Sequence, residues 1–280
     1  MTSVVQPAPL VSAILRRARI GWRAAASTAI LALAGAAPLP GATVWLDAGG
    51  MRLKARVFAR SPAPAVLVVA IHSDLSRPDY QYQFARRVAE RFPAVAAAGL
   101  LRTGYSDGDG DRSSGDAGSM TGDIYTPSII AAVAASVRRL QSRTGARTVI
   151  LVGHSGGAAI AADVMAAAPG LVGTAVLVGC SCDLAPWRRH MAGRMFNPLW
   201  LVPVDSVSPL AGAATIDPHA RVVLINGADN TVRPPVFAAR YAAALRARGV
   251  AVTTRVLAGR SHEALLAPEV IDAVGTAIGA

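Results

Sequence analysis

Thr148-Val149-Ile150-Leu151-Val152 runs directly into Gly153-His154-Ser155-Gly156-Gly157, and from there into the small-residue stretch 156–168, which Pro169-Gly170 ends. The first five residues are apolar or β-branched without alternation, as a strand buried on both faces requires. The stretch after Ser155 is rich in alanine and reads as a helix. A serine between them, in the pattern G-x-S-x-G, sits on a sharp strand-to-helix turn whose crowded backbone only small neighbours tolerate. Such a turn lifts the hydroxyl above the sheet edge, and the following helix aims its free N–H groups at the same place. A phosphate-binding turn would carry G-x-G-x-x-G or a lysine; neither is present. Ser155 is therefore the candidate nucleophile.

Working outward, short β-rich runs alternate with helical stretches. Residues 43–47 and 51–60 flank Gly49-Gly50 as an antiparallel pair. Runs 65–71, 94–101, 148–152, 175–178, 221–225 and 250–257 read as buried strands, and 78–91, 127–143, 156–168, 235–248 and 262–278 as helices, with Gly145 stopping the second. Alternation of this kind predicts an α/β fold: a mostly parallel, doubly wound sheet with helices on both faces. Residues 183–219 break the rhythm. They carry Trp187, Phe196 and Trp200 without a clean period, and are expected to form a small lid inserted between strands, an apolar wall for substrate.

A serine hydroxyl needs a base. Of the five histidines, His154 lies inside the turn, His72 precedes the nucleophile, His190 falls in the lid segment and His219 just before a strand. His262 follows the last strand at its carboxyl end, where open α/β sheets place their ligand crevice. The base in turn needs an acid to hold its tautomer. Asp229, directly after strand 221–225, completes the order Ser, Asp, His; Asp183 is the rival.

Gly153-His154-Ser155-Gly156-Gly157, Gly227-Ala228-Asp229-Asn230-Thr231-Val232, the stretch 259–266 around His262 and Leu101-Arg102-Thr103-Gly104-Tyr105 together resemble the α/β-hydrolase superfamily of serine hydrolases, esterases and lipases among them, over residues 45–280. The resemblance implies an oxyanion hole whose donors are the N–H of Gly156 and one from the loop after the third strand. That loop reads His72-Ser73-Asp74, which puts Ser73 where glycine is usual and makes Asp74 the second donor, with an acid on its side chain that would oppose an oxyanion unless turned away. The implied activity is cleavage of a carboxylic ester through an acyl-enzyme, with no cofactor, no metal, and a small-molecule acyl ester as the substrate. Acyl transfer or peptide cleavage would use the same residues. A non-catalytic binding protein on the same fold is the alternative from another class.

Composition narrows the rest. The 280-residue chain is 52% hydrophobic, ample for a packed core and against disorder. Net charge is +11, and Lys54 is the only lysine. The arginines fall in ones and twos without interleaved aromatics, which reads as a solvated basic surface and excludes a nucleic-acid site. Asp107, Asp109 and Asp111 alternate as in a calcium loop, but Arg112 and Gly118 stand where Gly and Glu are needed, so a solvated loop is expected. Cys180 and Cys182 are one residue apart. A bridge there is hard to close, which favours two buried thiols. Arg16–Arg23 followed by the uncharged run 24–37, with Ala34-Gly35-Ala36, reads as a signal peptide over residues 1–36, with the hydrolase domain at 37–280. This predicts export to the periplasm or medium, or a membrane tether if the segment stays uncleaved.

Overall fold

The computed structural model describes residues 39–74, 78–118 and 121–279. The expected signal segment lies outside them. Among the described residues no helix is long and apolar enough to cross a membrane.

The opening hairpin joins β1 (Ala42–Ala48) to β2 (Met51–Ala59) antiparallel across Gly49-Gly50. Both glycines have positive φ, 59° and 79°, the turn geometry whose twist matches that of the paired strands. β2 pairs antiparallel with β4 (Val95–Leu100). From there the sheet is parallel through β3 (Val66–Ile71), β5 (Thr148–His154), β6 (Thr174–Val178), β7 (Arg221–Gly227) and β8 (Ala251–Leu257). The order is β1-β2-β4-β3-β5-β6-β7-β8. After β3 the chain crosses to one side of the sheet, and after β5 to the other. The loops leaving their carboxyl ends diverge and open a crevice there.

The unbroken apolar runs have a physical reason. In β3, Leu67, Val69 and Ile71 face one core while Val68 and Ala70 face the other, and β5 repeats this with Val149 and Leu151 against Ile150 and Val152. The first core is covered by α2 (Pro127–Thr144), α3 (Gly156–Ala167) and α6 (Val236–Ala247), the second by α1 (Tyr80–Arg91) and α7 (Pro268–Ile278). α2 starts as its sequence dictates: the Thr126 hydroxyl accepts from the Ile129 N–H, Pro127 occupies the first turn, and Gly145 ends the helix at φ 70°. α7 begins six residues later than the sequence suggests. Pro268, with no N–H to lose, takes its first turn, which leaves residues 262–267 as a loop.

The segment between β6 and β7, expected to form a lid, holds α4 (Leu184–Met195), a 3-10 turn at Pro198–Leu201, the short α5 (Pro209–Gly212) and a second 3-10 turn at Ala213–Thr215. It is tied down by a buried arginine. Arg188 pairs with Asp123 and donates to the carbonyls of Leu199 (3.3 Å) and Val202 (2.8 Å).

Two expectations are overturned. The arginines are not all a solvated surface, because Arg102, Arg188 and Arg233 are buried. The acidic loop is not simply solvated either. The fully buried Lys54 ammonium lies 2.6 Å from Asp107, 3.0 Å from Asp109 and 2.6 Å from Asp111, so a lysine holds the centre that a cation would take. Removing one member of a buried pair leaves the other charge uncompensated. Lys54→Met is expected to cost about 3 kcal/mol, read as a lowered urea midpoint at unchanged slope.

Candidate active site

Ser155 adopts φ 58°, ψ −118°, and is one of two non-glycine residues with positive φ among those described. Such a backbone stores roughly 1–3 kcal/mol and persists because its surroundings leave no alternative. The Ser155 N–H is bound by the Val178 carbonyl of β6 (2.8 Å). A side chain on Gly157 would strike the carbonyls of Ile71 and His72, and one on Gly153 would strike Ala158. The two glycines of the motif are thus required by close backbone approach.

The serine hydroxyl meets two side chains. His262 Nε2 lies 3.0 Å from Oγ, and Arg233 Nε donates to the same oxygen at 2.7 Å. With Oγ accepting from arginine, its own proton points to His262, whose Nε2 must be the unprotonated nitrogen. Nδ1 then carries the imidazole proton, and it is buried without a partner. Burial, then the neighbouring His154, Arg233 and Arg194, lower the His262 pKa to about 2, so the ring is neutral throughout the ordinary range.

The expected acid does not reach this ring. Asp229 is exposed, its backbone N–H bound to the Arg260 carbonyl (3.0 Å), and it borders an open surface hollow with Phe196. The reason is local. The side chain of Asn230 closes the turn after β7 by accepting from the N–H groups of Val232 and Arg233 and donating to Asn226. That turns residue 230 inward and its neighbour outward. The rival, Asp183, pairs with Arg240 at 3.0 Å. Phe196 is likewise corrected: it caps α4 in a left-handed conformation and is 93% exposed, outside the cavity.

The loop after β3 departs furthest from expectation. The Ser73 N–H donates to the Tyr80 hydroxyl (2.6 Å), so it is already engaged. Tyr80 in turn reaches His154 Nδ1 (2.9 Å), and His154 Nε2 reaches the His262 carbonyl (2.9 Å). One polar chain thus runs from the β3 loop to the backbone of the base. Asp74 directs its carboxylate inward, not away. It accepts from Arg102 (2.7 Å), Arg233 (2.6 Å) and Tyr125 (2.7 Å), and it lies so close over Gly156 that a side chain there would collide with it. Two guanidinium groups around one carboxylate leave this cluster with one excess positive charge.

Arg102 and His154 enter the sequence reading only as members of motifs, without a role, and Arg233, Tyr125 and Tyr80 do not enter it at all. Nothing in their spacing separates them from surface residues; only position beside the turn after β7, for Arg233, gives a hint.

A cavity of about 130 Å³ opens on Ser155, His262 and Arg233, walled by Trp187, Met191 and Trp200. Trp187 donates to the Val232 carbonyl (3.0 Å), meets Trp200 edge-on at 5.2 Å, and carries the Arg233 guanidinium over its face at 4.0 Å. Beside this wall, Cys180 and Cys182 form a buried disulfide with Cα atoms 5.2 Å apart, where two thiols were expected. That separation lies within bridging range even with one residue between the cysteines. His154, His262 and Glu263 bring ligand-type atoms within 4.8 Å of one another. Both nitrogens of His154 are already hydrogen-bonded, however, so the cluster offers no complete ligand set.

No protein-family model matches the chain, and no curated protein matches it. Solved structures do. Est1E from Butyrivibrio proteoclasticus superposes with a TM-score of 0.61 at 12% identity, over 86% of this chain and 100% of that one. The fold is that of the α/β-hydrolases. The Pyrococcus furiosus esterase Pf2001 gives 0.63 at 14% identity, over 86% and 92%. The Pyrococcus horikoshii acylaminoacyl peptidase gives 0.62 at 11%, over 86% of this chain but only 41% of that one. In this chain the turn at Ser155, the loop after β3 and the loop after β8 converge on one crevice.

Burial also lowers the pKa values of His72 and His154. A histidine held neutral in the folded chain contributes stability above its ordinary pKa near 6.5 and loses it as pH falls below. Stability against urea is therefore expected to fall from pH 7 to pH 5, by up to about 2 kcal/mol from His262 alone, with His72 and His154 acting in the same direction.

Proposed function

We propose that this protein is a serine hydrolase that cleaves a small carboxylic ester, with Ser155 as nucleophile and His262 as its base. The observation that carries this reading is the 3.0 Å contact between Ser155 Oγ and His262 Nε2 on a turn of positive φ, since a nucleophile and base within hydrogen-bond reach are the minimum apparatus for acyl transfer. In this reading His262 takes the hydroxyl proton, Oγ bonds the acyl carbon, and water later releases the acid. The pair works as a dyad. Tyr80 and His154 hold the base through its backbone carbonyl, and no carboxylate bonds its Nδ1. The cavity of about 130 Å³ is small beside the roughly 300–1,000 Å³ of sites for drug-sized ligands, which favours a short acyl group. The Cys180–Cys182 bridge suits an oxidising compartment and agrees with export of the mature domain.

Peptide hydrolysis is the second reading, favoured by the peptidase among the structural neighbours. Against it, this chain spans only 41% of that protein.

A fluorophosphonate probe is expected to label the wild type and leave Ser155→Ala unlabelled; an unlabelled wild type would sink the proposal. Asp229→Asn is expected to change kcat/KM less than tenfold, against the roughly 10⁴-fold that loss of an orienting acid costs in a full triad. Because a lowered pKa keeps His262 unprotonated, kcat/KM for p-nitrophenyl acetate should stay flat from pH 8 down to pH 5; an inflection near 6.5 would mean that an acid partner joins the ring in the working state.

A further inference from the structure

We infer that the Arg233 side chain, rather than a pair of backbone amides, is the main donor to the oxyanion formed at Ser155. The inference rests on the hydrolase reading and deepens it. In acyl transfer, negative charge develops on the former carbonyl oxygen, within bonding distance of the carbon that Ser155 attacks, and donors already in place there are the largest single source of rate. The backbone around the nucleophile is a crowded place for an amide pair. The Ser73 N–H is spent on Tyr80 (2.6 Å), and the Asp74 carboxylate crowds the space over Gly156. A carboxylate beside an oxyanion is repulsive unless more than neutralised.

Here it is more than neutralised, and by a group that touches the reacting atom. Arg233 spans the two, with Nη2 on Asp74 (2.6 Å) and Nε on Ser155 Oγ (2.7 Å). Its third nitrogen, Nη1, is buried without a partner, and the residue lines the cavity that Ser155 faces. The guanidinium is fixed by the Trp187 face at 4.0 Å and cannot lose its charge. Arg102 and Tyr125 hold Asp74 from its other sides, so Asp74 orients Arg233 and Arg102 offsets the cost.

The step balances without any further reagent. The Ser155 O–H proton passes to His262 Nε2 as the Oγ–C bond forms, and the carbonyl π pair moves onto oxygen. Arg233 N–H groups bind that oxygen. Collapse returns the pair, breaks the bond to the leaving alkoxide, and His262 gives the alkoxide its proton. Water repeats the sequence on the acyl-enzyme.

The test compares wild type, Ser155→Ala, Arg233→Met, Arg233→Lys and Asp74→Asn/Arg233→Met on p-nitrophenyl acetate, with circular dichroism and Tm recorded for each. Arg233→Met is expected to lower kcat 10²- to 10³-fold with KM within threefold, and added methylguanidinium to restore part of it. Arg233→Lys keeps the charge and the fold but not the two-point fork, and should still lose tenfold or more. If Arg233→Met does not fold, the double variant, which leaves no unpaired carboxylate, must show the same loss of kcat. Wild-type kcat in a folded Arg233 variant overturns the inference while leaving Ser155 as nucleophile. So does a loss confined to KM or to substrates bearing a carboxylate, which would make Arg233 a substrate anchor. A wild type that neither turns over ester nor takes a fluorophosphonate label overturns the hydrolase reading itself, and this inference with it.

Discussion

A single buried carboxylate organises the site. Asp74 would be expensive to bury alone, so it is held only because Arg102, Arg233 and Tyr125 converge on it from three different parts of the chain. Each of those partners is then fixed in turn. Arg233 is brought to the nucleophile, Arg102 binds the loop carrying His72 through its backbone N–H (2.9 Å), and Tyr125 leads into the turn that starts α2. Replacing a buried ionic cluster by well-packed apolar groups is often neutral or stabilising. Its presence is better understood as a means of placing charge where chemistry occurs than as a source of folding energy.

Much of the architecture could be read from the chain. Residues 148–168 identify strand, turn and helix because hydrophobic periodicity and small-residue spacing are local signals, and α2 announces itself through Pro127 at its start and Gly145 at its end. The meeting of Ser155 with His262 could also be anticipated, since both follow strands that end on the same edge. What failed was anything decided by side-chain direction in a loop. Asp229 sits where an acid should, but one neighbouring asparagine, Asn230, takes the inward position and turns it out. Phe196 lies in the lid as expected, yet a left-handed cap sends it to solvent.

The buried arginines were invisible for a related reason. An arginine in sequence looks the same whether it faces water or a carboxylate far away along the chain; Asp74 and Arg233 are 159 residues apart. Composition averages such pairs away, so a net charge of +11 conceals cations that never see solvent. The lone lysine is the sharpest case, since Lys54 behaves as a built-in counter-ion for a loop that otherwise imitates a calcium site.

The bridge between Cys180 and Cys182 encloses a ring of only three residues. Cross-links restrict an unfolded chain more the longer the loop they close, with the logarithm of its length, and so short a ring removes less freedom than a bridge between distant parts of the chain. Its value to the molecule is therefore geometric. It locks the curvature of the segment leading from β6 into the lid, so a reducing environment would reshape one wall of the crevice while the surrounding sheet kept its thermal resistance.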